Sequence, residues 1–200
     1  MPRFESDVCI IGGGISAAML AQKLAELRPS LAITVVEAGR KLLDLENQDR
    51  SIWNQDLIQL AHEFFTRSQG EAVSTYHLEA AIAYLHCIAP SFEKTDWRTI
   101  VGLYARLLQI YPNPFVELNY AIAKYYAGDK QNALKILNEL QGHPFLNQYY
   151  ILNMALGKFQ QMEGNDKLAR QYLLKAQKQT TLQKEKDFIE KMLDKIADPG

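Results

Sequence analysis

Gly12, Gly14 and Ala17 form a Gly-x-Gly-x-x-Ala run, and Glu37 follows twenty-five residues after Gly12. Each residue type has a task at that spacing. The first glycine permits a tight turn, the second lets a pyrophosphate approach the backbone, and the small third residue lets a helix pack closely on a strand. The N–H groups that open the helix then face the phosphate with a partial positive charge. An acidic residue at the end of the next strand accepts hydrogen bonds from ribose hydroxyls. The chemistry is nucleotide binding.

The elements that must position these residues are legible nearby. Val8–Ile11 is a short apolar run bounded by the glycines, as expected for a strand buried on both faces. Residues 15–27 form a helix with Ile15, Ala18, Met19, Ala21, Leu24 and Leu27 on one side. Pro29 and Ser30 break it, and 32–36 is a second β-rich run. The whole, DVCIIGGGISAAMLAQKLAELRPSLAITVVE over residues 7–37, reads as a β-α-β unit, a truncated Rossmann-like segment.

From about residue 45 the periodicity changes. Residues 57–67 are amphipathic, and 76–89 are apolar nearly all round, which predicts a buried helix. Pro90 ends that helix. Thr95 and Asp96 are placed to cap the next, where Ile100, Leu103, Tyr104, Leu107 and Leu108 keep helical spacing. Pro112 stops it, and Asn113-Pro114 supplies an N-cap with proline at the first helical position.

An internal repeat follows. Gly128-Asp129-x-x-x-Ala133 recurs thirty-six residues on as Gly164-Asn165-x-x-x-Ala169, and Ala121 recurs as Gly157. The glycines suit the left-handed end of one helix, and Asp129 and Asn165 suit the cap of the next. The small residues let paired helices cross closely, with Ala133 and Ala169 on the second helix of each pair. Small residues twelve apart in a period near 34 are tetratricopeptide logic. Ile189, Met192, Leu193 and Ile196 suit a terminal capping helix, and Tyr149, Tyr150 and Tyr172 suit packing. The expected fold is therefore mainly α, a tetratricopeptide-like antiparallel helical repeat over 45–200, preceded by the β-α-β segment over 1–44.

Composition narrows the function classes. A net charge of −1 argues against a non-specific polyanion binder. Residues 167–195 are locally Lys-rich, which reads first as a solvated helix face. The two cysteines, Cys9 and Cys87, lack metal spacing and suit buried thiols of a reducing compartment. His86 beside Cys87 brings no further ligands. Glu79 with His77, and Glu93, Asp96 and His86, form no nucleophile–base–orienter set. No catalytic residue and no metal site is expected. No apolar run reaches the roughly 18 residues that suggest a membrane span, and the acidic Glu5 and Asp7 argue against a signal peptide, so a cytoplasmic protein without membrane contact is expected.

Two resemblances attach to these stretches. Residues 1–46, with Val35-Val36-Glu37-Ala38-Gly39 closing the segment, resemble the N-terminus of flavin-dependent oxidoreductases of the glucose–methanol–choline type. That resemblance implies FAD, with Gly12, Gly14 and Glu37 contacting its ADP half and Ala17 at the helix–strand contact. Two strands and one helix leave a sheet face and both edges uncovered, so FAD is expected to bind stably only if the segment is functional as it stands. NQDRSIWNQDLI (47–58), YHLEAAIAYLHCIAP (76–90) and TDWRTIVGLYARLLQIYPNPFVELNYAIA (95–123) resemble the C-terminal tetratricopeptide-like extension of extracytoplasmic-function RNA polymerase sigma factors, over about residues 47–197. This resemblance implies a non-catalytic module in transcription regulation that binds a protein or peptide, transcription machinery among the candidates. The sigma regions that read promoters are not found before it, so direct DNA binding is not expected. The two resemblances meet at residues 41–47, giving a chimera-like chain.

Overall fold

The computed structural model describes residues 8–11, 33–36, 46, 49–68 and 73–196. The protein is mainly helical, with eight α-helices among the described residues. They are α1 (Gln55–Ser68), α2 (Thr75–Ile88), α3 (Trp97–Ile110), α4 (Pro114–Tyr126), α5 (Lys130–Leu140), α6 (Tyr150–Met162), α7 (Asp166–Gln179) and α8 (Gln183–Leu193). Two strands, β1 (Val8–Ile11) and β2 (Ile33–Val36), pair in parallel, with Val8 opposite Ile33 and Ile11 opposite Val36. The helix expected between them lies outside the described residues.

The chain divides into two compact units, Met1–Asp96 and Trp97–Gly200. The composition change near residue 45 does not coincide with this division. The reason is packing: β1 lies against α1 and α2, so the strands and the first two helices share one unit.

In the first unit, His62 of α1 stacks on Tyr84 of α2 with ring centroids 4.7 Å apart. Ser74 opens α2: its backbone N–H donates to His77 Nδ1 at 3.2 Å, and its hydroxyl lies 2.7 Å from the same nitrogen. The apolar α2 is not buried all round. Leu78 and Ile82 are enclosed, whereas Tyr76 and Ile88 are about half exposed at 52% and 47%. Between these two ends, positions 77–87 are all buried or half-buried, so the exposure is confined to the termini of the helix.

In the second unit the expected signals act locally. Asn113 caps α4, its Oδ1 accepting the Phe115 N–H at 2.8 Å. Gly128 and Gly164 adopt φ of +99° and +78°, ending α4 and α6. Asp129 and Asn165 hold the N-cap positions of α5 and α7 without a side-chain cap hydrogen bond. Their side chains go elsewhere. Asp129 pairs with Lys124 at 2.6 Å and accepts from Asn132 at 2.8 Å, and Asn165 donates to Gln160 Oε1 at 2.9 Å.

The core of this unit is two linked layers. Leu118, Ala121 and Tyr125 of α4, Ala133, Leu137 and Leu140 of α5, Leu146, and Leu152, Leu156 and Phe159 of α6 form the first. Ala169, Leu173 and Ala176 of α7 with Ile189, Met192 and Ile196 form the second. Ile189 and Met192 lie on α8, the capping helix expected from the apolar spacing, whereas Ile196 packs from the turn just past its end. Tyr125 lies flat on Phe159, rings 3.7 Å apart and 6° from parallel. Such a pair adds about 0.5–1.5 kcal/mol beyond the area it buries.

Candidate binding surface

The nucleotide-site residues Gly12, Gly14, Ala17 and Glu37 lie outside the described residues. What is described is the strand pair that precedes two of them. β1 ends at Ile11 and β2 at Val36, and these two residues are register partners. In sequence, Gly12 and Glu37 are the next residues after each strand.

Sequence reasoning missed Arg50. Its side chain is 6% exposed, and its Nη1 donates to the carbonyls of His86 (3.0 Å), Ala89 (2.9 Å) and Ser91 (3.2 Å) and lies 3.4 Å from Thr95 Oγ1. The carbonyls at and just past the end of α2 have no helical partner of their own, so one guanidinium supplies what a glycine cap supplies elsewhere. Arg50 sits in a short 3-10 turn, Arg50–Ile52, opened by Asp49, whose Oδ1 accepts the Ser51 N–H at 3.0 Å. Trp53 lies beneath the guanidinium at 5.3 Å. The signal was available: Asp49-Arg50-Ser51 followed by Trp53 puts a capped turn beside an aromatic platform. This also redirects Thr95, whose hydroxyl bonds Ser91 O and Arg50 rather than the start of α3.

Burial sets the local electrostatics, and Arg50 modifies them. Burial, reinforced by the nearby guanidinium, lowers the His86 pKa from 6.5 to about 4 and keeps its imidazole neutral. Burial pushes the Cys87 thiol up, with Arg50 acting weakly against it. A neutral imidazole and a protonated thiol in a packed helix are poor acid–base partners. Glu79 is raised by burial alone, and Glu93 is lowered chiefly by the Ser91 hydroxyl, 2.7 Å away. Among the described residues, no three of His, Cys, Asp and Glu gather as a metal site would need.

The second unit offers a surface built from stacked helix pairs. Its helix pairs are held at fixed spacing by small residues and at their ends by polar bridges. Tyr125 donates its hydroxyl to Glu163 Oε1 at 2.6 Å, and Lys130 Nζ reaches the same oxygen at 2.8 Å. One carboxylate after α6 thereby ties α4 and α5 to the following hairpin, and its pKa is lowered by Lys130 first and Tyr125 second. Glu185 does the same for the next hairpin, accepting from Tyr150 (2.8 Å) and from Thr180. Tyr149 and Tyr172 pack as the sequence suggested, Tyr149 edge-on to Phe115 at 5.3 Å and Tyr172 against the first core layer. Phe115, at 43% exposure, continues this aromatic strip to solvent. Among the described residues, no helix is long and apolar enough to cross a membrane.

No family model matches the chain, and no solved structure matches it. It is 30% identical over 185 residues to an uncharacterized protein of Rhizobium meliloti (strain 1021), covering 92% of this chain and 42% of that protein. It is 44% identical over 50 residues to a probable malate:quinone oxidoreductase of Helicobacter hepaticus, covering 25% of this chain and 10% of that one. The chain thus spans less than half the length of either relative.

Proposed function

We propose that residues 45–200 form a non-catalytic, tetratricopeptide-like module for protein or peptide binding, related to the C-terminal domain of an extracytoplasmic-function sigma factor, and acting in the cytoplasm in transcription regulation. The observation that carries this reading is the thirty-six-residue repeat of helix pairs. Gly128 and Gly164 close equivalent helices in the same left-handed conformation, and Ala121 and Gly157 sit buried at equivalent places on α4 and α6. Stacked hairpins of this kind present an extended surface rather than a pocket, which suits a protein or peptide partner. On this reading the module works through other proteins rather than by contacting a promoter itself. The test is direct: purified full-length chain is titrated against core RNA polymerase and followed by sedimentation. Association at micromolar concentration is expected. If the two sediment independently there, the transcription reading fails.

A second reading is an FAD-dependent oxidoreductase segment. Two features favour it: the parallel strand pair that ends immediately before Gly12 and Glu37, and the 50-residue likeness to a probable malate:quinone oxidoreductase. On this reading Gly12, Gly14 and Ala17 hold the pyrophosphate turn and Glu37 the ribose of FAD. A preparation that purifies colourless and leaves FAD fluorescence unchanged on titration removes it.

A further inference from the structure

We propose that the outward face of α7 docks an acidic, amphipathic segment of a partner protein. The inference rests on the interaction-module reading and names the chemistry of the partner. Ala169, Leu173 and Ala176 are fully buried, which fixes the orientation of the helix. At 3.6 residues per turn, the opposite side carries two adjacent rows, Lys167–Gln171–Lys175 and Arg170–Leu174–Lys178. Lys167, Gln171, Leu174 and Lys178 are exposed, and Arg170 and Lys175 are half-buried. Lys175 Nζ donates to Asn147 Oδ1 at 3.3 Å, which holds its ammonium at the edge of the stripe. The one acidic residue of α7 is Asp166, in its first turn.

This is not the pattern of an ordinary solvated helix. Lys167 with Arg170, and Lys175 with Lys178, are like charges three apart, an arrangement that weakens a helix. The neighbouring α8 shows the ordinary alternative, with Lys184, Glu185, Lys186, Asp187, Glu190 and Lys191 mixing both signs. Glu185 does not offset the stripe, because its carboxylate is turned to the hydroxyls of Tyr150 and Thr180. The basic face also holds Leu174, 39% exposed between Arg170 and Lys178, with Leu168 at 38% on its flank. Phosphates gain nothing from leucines. An acidic helix with its own apolar row would pair the exposed Lys167 and Lys178 and cover Leu174 between the rows, so the geometry favours a protein segment over a nucleic acid.

The probe is a fluorescein-labelled helical peptide of about 14 residues with Glu and Leu in adjacent rows, long enough to match the stripe's span of roughly 16 Å. Its comparators are the same peptide with Lys for Glu, and a duplex DNA of similar length. Anisotropy with the full-length chain should show binding of the acidic peptide that weakens as salt is raised. The triple variant K167Q/K175Q/K178Q should bind about tenfold more weakly, as expected for three exposed charge pairs. L174Q should weaken binding without changing its salt dependence. K184Q/K191Q, which removes charge from α8, should bind as the parent does, and helical melts confirm that each variant is folded. Absence of peptide binding, equal binding by the folded triple variant, or tighter binding of the DNA would overturn the proposal. Core-polymerase association that survives the triple substitution would remove this inference and leave the module reading. Peptide binding without polymerase association would remove the transcription reading and leave this inference.

Discussion

Gly157 of α6 lies so close to α7 that a Cβ placed on it would fall 2.7 Å from Leu173 Cγ and 3.2 Å from the Ala169 carbonyl oxygen. The contact on one side is backbone, which cannot rotate away. Leu173 is itself fully buried, so it cannot swing out without opening a void. Close packing of this kind transmits even one methyl group.

The first prediction concerns that contact. Alanine in place of glycine ordinarily stabilises a helix interior by roughly 1 kcal/mol. Here overpacking should outweigh it, at about 1–3 kcal/mol, so Gly157→Ala should lower unfolding stability in urea. The double variant Gly157→Ala/Leu173→Ala should recover some of the loss, because the clashing side chain is gone. A single variant at least as stable as the parent would mean that α6 and α7 do not approach this closely.

The left-handed glycines give a second prediction. Gly128 and Gly164 have open space around them, so a substitution there meets no clash and tests backbone conformation alone. Gly128→Ala and Gly164→Ala should each cost about 1–2 kcal/mol, while Gly128→Asn and Gly164→Asn should cost less, since asparagine tolerates this region better. Chemical denaturation of the four variants separates the two residue types. Equal losses for Ala and Asn would contradict the conformational explanation.

These two sites show why some of the fold was legible in the sequence. Gly128, Gly164, Ala121 and Gly157 report their backbone demands through residue type alone, because a positive φ or a close crossing excludes most alternatives. The ends of α4 and α6 were therefore readable, as was the Asn113-Pro114 start of α4. Asp129 and Asn165 misled for a physical reason. Each stands at a cap position, but the Asp129 carboxylate is taken by Lys124 and Asn132, and the Asn165 side chain is oriented by donating its amide to Gln160. For Arg50 the capped turn beside Trp53 was legible, but its targets were not: they are carbonyls thirty-six to forty-one residues away, and carbonyls carry no sequence signature. The nucleotide fingerprint was the most readable feature of all. Yet Gly12 and Glu37 speak for a site only with the turn and helix around them, and the described structure reaches Ile11 and Val36.

Arg50 supports a third prediction. Arg50→Met keeps much of the side-chain volume but removes the donor shared by the carbonyls at and after the end of α2. Charged hydrogen bonds of this kind contribute about 1.5–3 kcal/mol each in favourable cases, and orphaned carbonyls add a penalty. The variant should lose at least about 2 kcal/mol of stability in the Met1–Asp96 unit, with faster amide exchange at the C-terminal turn of α2. Arg50→Lys should recover only a fraction, since an ammonium lacks the planar spread of a guanidinium. Exchange rates in α2 unchanged from the parent would show that the carbonyls do not depend on Arg50.

The last prediction is a pH dependence centred on His86. Its pKa falls from 6.5 to about 4 on folding, because burial and then the Arg50 charge oppose protonation. Between those values the unfolded chain holds a proton on this residue that the folded chain does not. Stability therefore rises with pH across that window. It is fully present above about pH 6.5 and is lost progressively as pH falls toward 4, by as much as about 3 kcal/mol. Carboxylates with lowered values, Glu163 and Asp129 among them, act further down: their contribution is present above the ordinary carboxylate pKa and is lost as pH falls through the lowered one. Urea unfolding at pH 7.5, 6.0 and 5.0 stays above those carboxylates; Glu79, raised by burial, acts with the opposite sign, so the comparison with a non-titrating variant is what isolates the histidine. The parent chain should weaken steadily over this series, and His86→Gln, which cannot titrate, should weaken much less. Parallel declines for both proteins would place the titrating group elsewhere and return His86 to an ordinary packed residue.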